Sequence, residues 1–275
     1  MSTQGIVMIG GGNMGRAIAV GLLNQGYPAQ QIQIVEPDQN KAQALQEEYG
    51  FHCCNDFRDT STSPDVVLMA VKPQIMRAVL ETLGPQLSLN EGPLIISIAA
   101  GITTKQISRW LGREHKVVRV MPNTPAMVGA GASALFANLR CESADREVAE
   151  TILNAVGMSV WVSSEDDIDA VTALSGSGPA YFFLMFEALE SAGVALGLST
   201  ETARALALQT GLGAAKLATS SADEPSELRR QVTSPGGTTE KAIATLMDEG
   251  FPQSIDSALH AAFQRAKQLA AESEN

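Results

Sequence analysis

The sequence predicts an α/β protein in which an N-terminal parallel-sheet domain (residues 1–164) is followed by an all-α C-terminal domain (residues 165–275). In the first part, short β-rich apolar runs alternate with helical patterns, which is typical of a parallel sheet with crossover helices. After the acidic stretch Glu165-Asp166-Asp167, the apolar runs become long and helix-periodic. The length of 275 residues also exceeds the usual size of one domain.

Six apolar runs in the first part are predicted strands, and the segments between them carry helix signals. Thr103 and Gln106 are spaced as a capping box at the start of one helix. Gly26 and Gly50 are placed to end two others. The predicted strands are residues 6–9, 32–35, 66–71, 94–98, 117–121 and 158–162.

One helix in the second part predicts a partner chain. Residues 179–196 are apolar on nearly every side, with Glu187 and Glu190 as the charged residues, and such a helix has to be buried on most faces. A helical domain of this size cannot cover it alone. We therefore expect a homodimer whose active site is completed across the interface, with the loop 234–239 of one chain meeting the nucleotide pocket of the other.

Charge and cysteine content exclude several classes of partner. The chain has 30 acidic and 19 basic residues, a net charge of −11, which disfavours nucleic acid and anionic membranes. Two uncharged windows, 120–139 and 170–186, are interrupted by Pro, Asn or Ser/Gly clusters and do not predict membrane spans. Three cysteines, an odd number, do not form a disulfide framework and predict a cytoplasmic protein.

A glycine-rich segment at residues 10–15 follows the first predicted strand and precedes a helix, in the order Gly-Gly-Gly-Asn-Met-Gly. This context predicts a Rossmann-type dinucleotide site. Gly10 would permit the tight turn, Gly12 would let the backbone approach a pyrophosphate, and Gly15 would allow close packing of the helix. The alternative interpretation is a glycine-rich turn that binds nothing.

Glu36 ends the second predicted strand, 21 residues after Gly15. Its carboxylate is placed to accept hydrogen bonds from the adenosine ribose hydroxyls, and it would repel a 2′-phosphate. We therefore expect appreciable use of NADH. The alternative interpretation is a solvated glutamate in a loop.

Further loops at the carboxyl ends of strands are candidate ligand contacts, because ligands bind at that edge of open α/β sheets. Residues 70–73 and 98–101 leave two predicted strands, and Lys72 is either a phosphate contact or a surface cation. In the second part, the Gly-Gly-Thr-Thr sequence at residues 236–239 opens a helix. Its backbone N–H groups would suit a carboxylate, and the alternative is an ordinary capped turn.

No side chain has the sequence context of a strong acid, base or nucleophile. His52, His115 and His260 are scattered, and they predict no metal site. Hydride transfer from a nicotinamide needs positioning and exclusion of water more than it needs a catalytic triad. This pattern therefore favours an oxidoreductase.

Five motifs together resemble the pyrroline-5-carboxylate reductase family. The resemblance implies reduction of 1-pyrroline-5-carboxylate to L-proline by NADPH or NADH, the last step of proline biosynthesis. It also implies a Rossmann domain followed by a helical domain that forms an interlocked dimer, with assembly into larger rings such as a decamer. The motifs are residues 10–15, 70–73, 120–125, 174–181 and 232–239, in this order over nearly the whole chain.

The resemblance also assigns roles to individual residues. Ser234, Gly237, Thr238 and Thr239 would hold the substrate, and Thr239 is our candidate for the proton donor to the ring nitrogen. Two positions depart from the family pattern: Glu36 stands where members that prefer NADPH often have a small hydroxyl residue, and Ala222 where some members have an acid. Besides Glu36, the cofactor residues would be Gly10, Gly11, Gly12, Asn13, Met14, Asn55, Ala70, Val71, Lys72, Pro73, Ile98, Ala99 and Ala100.

Two other functions are compatible with the N-terminal pattern. A β-hydroxyacid dehydrogenase-like enzyme would need a catalytic lysine in the helical domain, but the chain has no lysine between Lys116 and Lys216. A non-catalytic nucleotide-binding dimer would not need the Gly-Gly-Thr-Thr loop, which is intact here.

Overall fold

The computed structural model describes residues 4–60, 63–87 and 92–272. Its internal contacts divide the chain into two compact units. The first unit comprises residues 1–177 and 262–275, and the second comprises residues 178–261. The first unit therefore extends past the predicted domain boundary at 164/165, and that boundary stays a prediction. The C-terminal end of the last helix also belongs to the first unit.

In the first unit, the described strands form one eight-stranded sheet with the order β3-β2-β1-β4-β5-β6-β7-β8. All six predicted strands are present. The strands are β1 (Ile6–Ile9), β2 (Ile32–Val35), β3 (His52–Cys54), β4 (Val66–Met69), β5 (Leu94–Ser97), β6 (Val117–Met121), β7 (Gly131–Ala137) and β8 (Gly157–Trp161).

The predicted parallel sheet is confirmed for β1 to β6, and the last two strands run in the opposite direction. Strands β1 to β6 pair in parallel, but β7 is antiparallel to β6, with Val118 opposite Ala137. Because β8 pairs in parallel with β7, it too runs against the first six strands. The physical reason is the β6–β7 connection, a short 3-10 segment at Thr124–Val128 that is too short for a parallel crossover.

Helices cover both faces of this sheet. Alternate residues of β1 divide between two buried clusters. Met8 joins Ile18 of α1 (Asn13–Asn24) on one face, and Val7 joins Met76 of α3 (Pro73–Leu83) on the other. Such burial on both faces is why the parallel strands are continuously apolar. The predicted capping box of Thr103 and Gln106 is confirmed. The helices of this unit are α1 (Asn13–Asn24), α2 (Gln39–Tyr49), α3 (Pro73–Leu83), α4 (Thr104–Trp110), α5 (Ser143–Asn154) and α6 (Asp167–Val171).

The second unit is helical, as predicted. Its helices α7 (Gly178–Ala195) and α8 (Thr200–Ser220) pack closely, since a Cβ built on Gly211 would collide with the ring of Phe186. Arg204 of α8 donates two hydrogen bonds, of 2.8 and 2.9 Å, to the carboxylate of Glu190 on α7. No described helix of the chain combines the length and apolar character needed to cross a membrane. The helices are α7 (Gly178–Ala195), α8 (Thr200–Ser220), α9 (Pro225–Gln231), α10 (Thr238–Asp248) and α11 (Phe251–Glu272), whose end belongs to the first unit.

The apolar surface of α7 is exposed in the single chain. Phe182 and Leu184 are each 66% exposed and Phe183 is 59% exposed. A contiguous apolar surface of this kind marks a site of association.

Candidate active site

The glycine-rich loop between β1 and α1 has the backbone geometry that the sequence predicts. Gly10 has a φ of +104°, a conformation that favours glycine. A Cβ on Gly10 would lie 2.8 Å from the carbonyl oxygen of Ala70, and a Cβ on Gly15 would lie 2.5 Å from that of Gly10. These two glycines are therefore required by the packing of the protein itself.

Gly12 differs from its neighbours because the protein leaves space beside it. A Cβ built on Gly12 would have no atom within 4 Å, and its φ of −66° suits any residue. Gly12 also begins α1, which has no side-chain cap and no acidic residue in its first turn. Uncapped N–H groups at a helix start attract anions. Space and donors for a pyrophosphate group therefore meet at Gly12.

Glu36 lies at the end of β2 and is 7% exposed. Its Oε2 accepts a hydrogen bond of 2.9 Å from the backbone N–H of Gly11, and its Oε1 accepts one of 3.0 Å from that of Asp38. Both carboxylate oxygens are therefore fixed by backbone. This arrangement holds a negative charge beside the glycine-rich loop.

A cavity of about 550 Å³ opens beside this loop at the carboxyl ends of the parallel strands. Phe57, Ile75 and Val79 contribute apolar surface to it, which suits an adenine ring. The predicted cofactor residues that line it are Gly10, Gly12, Glu36, Asn55, Ala70, Val71 and Lys72.

The charges around this cavity are mixed. Lys41 and Lys72 supply the ammonium groups, and Lys41 lies 3.4 Å from the carboxylate of Asp38. Asp56 adds a carboxylate, and hydrogen bonds from the Arg58 side chain lower the pKa of Asp56 to about 2. Because Arg58 pairs with Asp56, Glu36 is the carboxylate that offsets the positive charge that a 2′-phosphate would need.

The other predicted cofactor residues lie outside this cavity lining. The N–H of Gly11 is occupied by Glu36, Met14 packs against the core, and Asn13 lines a neighbouring cavity of about 360 Å³. Pro73 opens α3 as predicted. In the loop after β5, Ala99 is 3% exposed and joins the core. Its neighbour Ile98 is half-buried, and Ala100 is exposed.

Asn123 joins two of the sequence motifs, a link that the sequence analysis missed. Its side chain donates a hydrogen bond of 3.0 Å to the carbonyl of Ser175 and accepts one of 2.9 Å from the backbone N–H of Ala132. Ser175 lies in a π-helical turn, Thr172–Gly176, and such turns are frequent at functional sites. Both residues lie in motifs that the sequence analysis named, but neither motif alone predicts the contact between them.

The predicted substrate residues Ser234, Gly237, Thr238 and Thr239 form one loop in the second unit. The N–H of Gly237 donates to the carbonyl of Ser234 at 3.0 Å, and Gly237 begins α10 without a side-chain cap. Glu240, which the sequence analysis missed, accepts a hydrogen bond of 2.9 Å from the N–H of Gly236. Both N–H groups are therefore satisfied within the chain, and the loop is an ordered helix start.

The open space at Gly12, the uncapped start of α1 and the adjoining cavity fit a bound dinucleotide. Together they define the class of protein, a Rossmann-type oxidoreductase that uses NADPH or NADH. Residues 5–101 match the family described as NADP oxidoreductase coenzyme F420-dependent, and residues 165–269 match the pyrroline-5-carboxylate reductase dimerisation family.

Full-length relatives define the family more narrowly. A pyrroline-5-carboxylate reductase from Pseudomonas aeruginosa is 48% identical over 270 residues, which cover 98% of each chain. A solved structure of this enzyme from Coxiella burnetii has a TM-score of 0.94 and 46% identity, covering 98% of this chain and 99% of that one. A Plasmodium falciparum structure with NADP bound has a TM-score of 0.84, 31% identity and coverage of 98% and 99%. The chain belongs to the pyrroline-5-carboxylate reductase family, and its dimerisation region makes it a homodimer or larger homo-oligomer.

Proposed function

We propose that the chain reduces the C=N bond of 1-pyrroline-5-carboxylate to L-proline, with an anion site at each of two helix starts. The observation that carries this proposal is that Gly12 and Gly237 each begin a helix without a side-chain cap, although α10 carries Glu240 in its first turn and α1 carries no acidic residue there. The start of α1 would bind the pyrophosphate of the cofactor. The start of α10 would bind the carboxylate of the substrate.

When bound, NADPH or NADH supplies the hydride that the imine carbon accepts. The task of the protein is to hold the two ligands and to make that carbon electrophilic. Protonation of the ring nitrogen, or a hydrogen bond to it, achieves the latter. Thr239 is our candidate for this donor because its hydroxyl lies in the first turn of α10, close in sequence to the carboxylate site.

We assign the choice between NADH and NADPH to Glu36. Its fixed carboxylate would accept hydrogen bonds from the ribose hydroxyls of NADH, and it would repel the 2′-phosphate of NADPH. Lys41, which lines the same cavity, is a candidate for a compensating cation, but it already contacts Asp38. We therefore expect efficient turnover with NADH.

Assembly and location extend the proposal. A homodimer would cover the exposed apolar face of α7, and a decamer is a compatible higher assembly.

We place the protein in the cytoplasm because its three cysteines are free. Burial raises the pKa of the Cys53 and Cys141 thiols to about 11, so both stay protonated and unreactive at neutral pH.

A steady-state assay tests the proposal. The purified chain is supplied with 1-pyrroline-5-carboxylate and either NADH or NADPH, and L-proline is measured by chromatography. We expect stoichiometric proline formation, with a kcat/KM for NADH at least equal to that for NADPH. Oxidation of the cofactor without proline formation would overturn the proposed reaction.

A further inference from the structure

We propose that Arg119 is a positioning residue, which holds the segment that borders the reacting half of the active site. The inference rests on the proposed function. The segment comprises residues 165–177, the last residues before the second unit begins at Gly178. We call it the exit segment. It contains α6 (Asp167–Val171) and the π-helical turn Thr172–Gly176.

Arg119 is a buried charge in the middle of β6, which pairs with β5 on one side and β7 on the other. Its side chain is 4% exposed. Its Nη1 donates a hydrogen bond of 3.2 Å to Oε1 of Glu165, and its Nη2 lies 4.0 Å from Oδ1 of Asp169. A buried charge is costly unless it is paired. Both of the carboxylates that pair with Arg119 belong to the exit segment.

Glu165 connects Arg119 with the start of α4. Its Oε1 also accepts a hydrogen bond of 2.8 Å from the backbone N–H of Thr104, the first residue of α4. Its Oε2 accepts another of 2.8 Å from the Thr104 hydroxyl. Donors from β6 and α4 therefore fix both oxygens of Glu165, and with them the beginning of the exit segment.

The other end of the exit segment lies at the carboxyl end of β6. A Cβ on Gly176 would collide with the methyl group of Met121, so the two residues are in close contact. Asn123 donates a hydrogen bond of 3.0 Å to the carbonyl of Ser175. Side chains two residues apart in a strand lie on the same face. Arg119 and Met121 thus contact opposite ends of the exit segment from one face of β6.

This end of the exit segment borders the place where hydride transfer would occur. The strand order reverses between β1 and β4, and a dinucleotide binds across that point. The proposed ribose contact of Glu36, at the end of β2, assigns the adenosine half to the β1–β2 side. The nicotinamide half would then lie over the ends of β4 to β6. A displaced π-helical turn would change the reacting geometry and leave the adenosine contacts intact.

A purely structural role of Arg119 makes a different prediction. Removing one partner of a buried ion pair destabilises a protein, whereas replacing both with neutral residues of similar size is often harmless to stability. In the double variant Arg119→Met/Glu165→Gln, Asp169 would keep Lys267 as a nearby cation. With a purely structural role, this variant should regain stability and turnover together. With a positioning role, it should regain stability but not turnover.

The two single variants and the double variant are compared in the full-length chain. Steady-state kinetics give kcat, fluorescence titration gives the Kd for NADH, and urea unfolding gives stability. Hydrogen exchange measures the protection of residues 165–177. We expect the double variant to unfold at the urea concentration of the parent and to bind NADH with unchanged affinity. Its kcat should fall by about tenfold or more, because small displacements of reacting groups are costly, and exchange in the exit segment should be faster.

Arg119→Lys keeps the charge and should recover part of the turnover. Glu165→Gln alone is the smallest change, and it should lower kcat in the same direction if the larger changes prevent folding. The matched control is Lys116→Met, which removes an ion pair of 3.1 Å to Asp145 just before the other end of β6. This pair does not involve the exit segment, so kcat should stay within about twofold of the parent value.

An equal fall of kcat in the Lys116→Met control would show a general effect of lost ion pairs and overturn the inference. Recovery of kcat together with stability in the double variant would also overturn it, as would unchanged exchange in the exit segment. A parent chain that forms no proline would overturn the proposed function itself. An active parent with an equally active double variant would overturn only the role of Arg119.

Discussion

The carboxylate of Glu36 accepts a hydrogen bond of 2.9 Å from the backbone N–H of Gly11, 25 residues earlier in the chain. This contact connects the residue proposed to select the cofactor with the loop proposed to bind it. Glu36 therefore has two separable roles, one in the stability of the loop and one in the charge of the cavity. Substitutions that change one role more than the other distinguish them.

Glu36→Ser should improve NADPH use relative to NADH. Removing a carboxylate near the 2′-phosphate relieves a repulsion of roughly 1–2 kcal/mol, so the ratio of kcat/KM values should shift by about fivefold to thirtyfold. The same variant should lose about 1–3 kcal/mol of unfolding free energy because Gly11 loses a buried acceptor. Kinetics with both cofactors and urea unfolding measure the two effects.

Glu36→Gln is the matched control, because it removes the charge but keeps one acceptor oxygen. It should show a similar change of cofactor preference with a smaller loss of stability. If the parent already prefers NADPH strongly and neither variant alters that preference, Lys41 is the better candidate, and Lys41→Gln should then weaken NADPH binding.

Gly12→Val should abolish dinucleotide binding in a folded protein. The new side chain would enter space that no atom of the protein occupies within 4 Å, and this space is where we place the pyrophosphate. Fluorescence titration with NADH measures the loss, and the melting temperature should match that of the parent. Gly15→Ala is the contrasting variant: its Cβ would lie 2.5 Å from the Gly10 carbonyl oxygen, so stability should fall. Normal NADH affinity in Gly12→Val would contradict the assignment.

Thr239→Val should lower kcat by up to about 10²-fold, the effect expected when a preorganised donor is removed. The affinity for NADH should stay unchanged, because the residue belongs to the substrate loop. Thr239→Ser retains the hydroxyl and should restore most of the turnover. A Thr239→Val enzyme with normal kcat would exclude this hydroxyl as the donor.

Mixing two inactive variants tests whether two chains share each active site. Gly12→Val damages the proposed cofactor site, and Thr239→Val damages the proposed donor. After subunit exchange, each mixed dimer should regain one intact site if the cofactor and substrate loops come from different chains. Mass spectrometry confirms the exchange. Failure to recover activity in confirmed mixed dimers would place the whole site within one chain.

His115 should contribute to acid sensitivity. Burial lowers its folded pKa to about 4 from 6.5, so the unfolded chain binds a proton more readily between these pH values. The unfolding free energy should therefore fall as the pH drops from 6.5 towards 4, by up to roughly 3 kcal/mol. His115→Gln should flatten this part of the pH profile. An unchanged slope in urea unfolding would contradict the explanation.

The sequence predicted strands that contain large apolar residues and missed those built mainly from small or polar residues. The six predicted strands are rich in Val, Ile, Leu and Met. The missed β7, Gly131–Ala137, consists mainly of small residues, and β3 has three residues. The reversed direction of β7 and β8 was also missed, because the apolar pattern of a strand does not encode its direction.

The backbone geometry of the glycine-rich loop was predictable because it depends on local sequence. The spacing of Gly10, Gly12 and Gly15 predicted the tight turn and the open backbone position, and both are present. Contacts between distant segments were not predictable. Asn123 meets Ser175 across 52 residues, and this pairing depends on how the chain folds rather than on either motif alone.

Isotope transfer tests the central claim most directly. The chain is incubated with 1-pyrroline-5-carboxylate and NADH that carries deuterium in the transferable position at C4 of the nicotinamide. Proline is then analysed by mass spectrometry and NMR. We predict L-proline with one deuterium on Cδ, the former imine carbon, at one label per turnover. Proline without the label, or loss of NADH without labelled proline, would contradict direct hydride transfer to the imine by this protein.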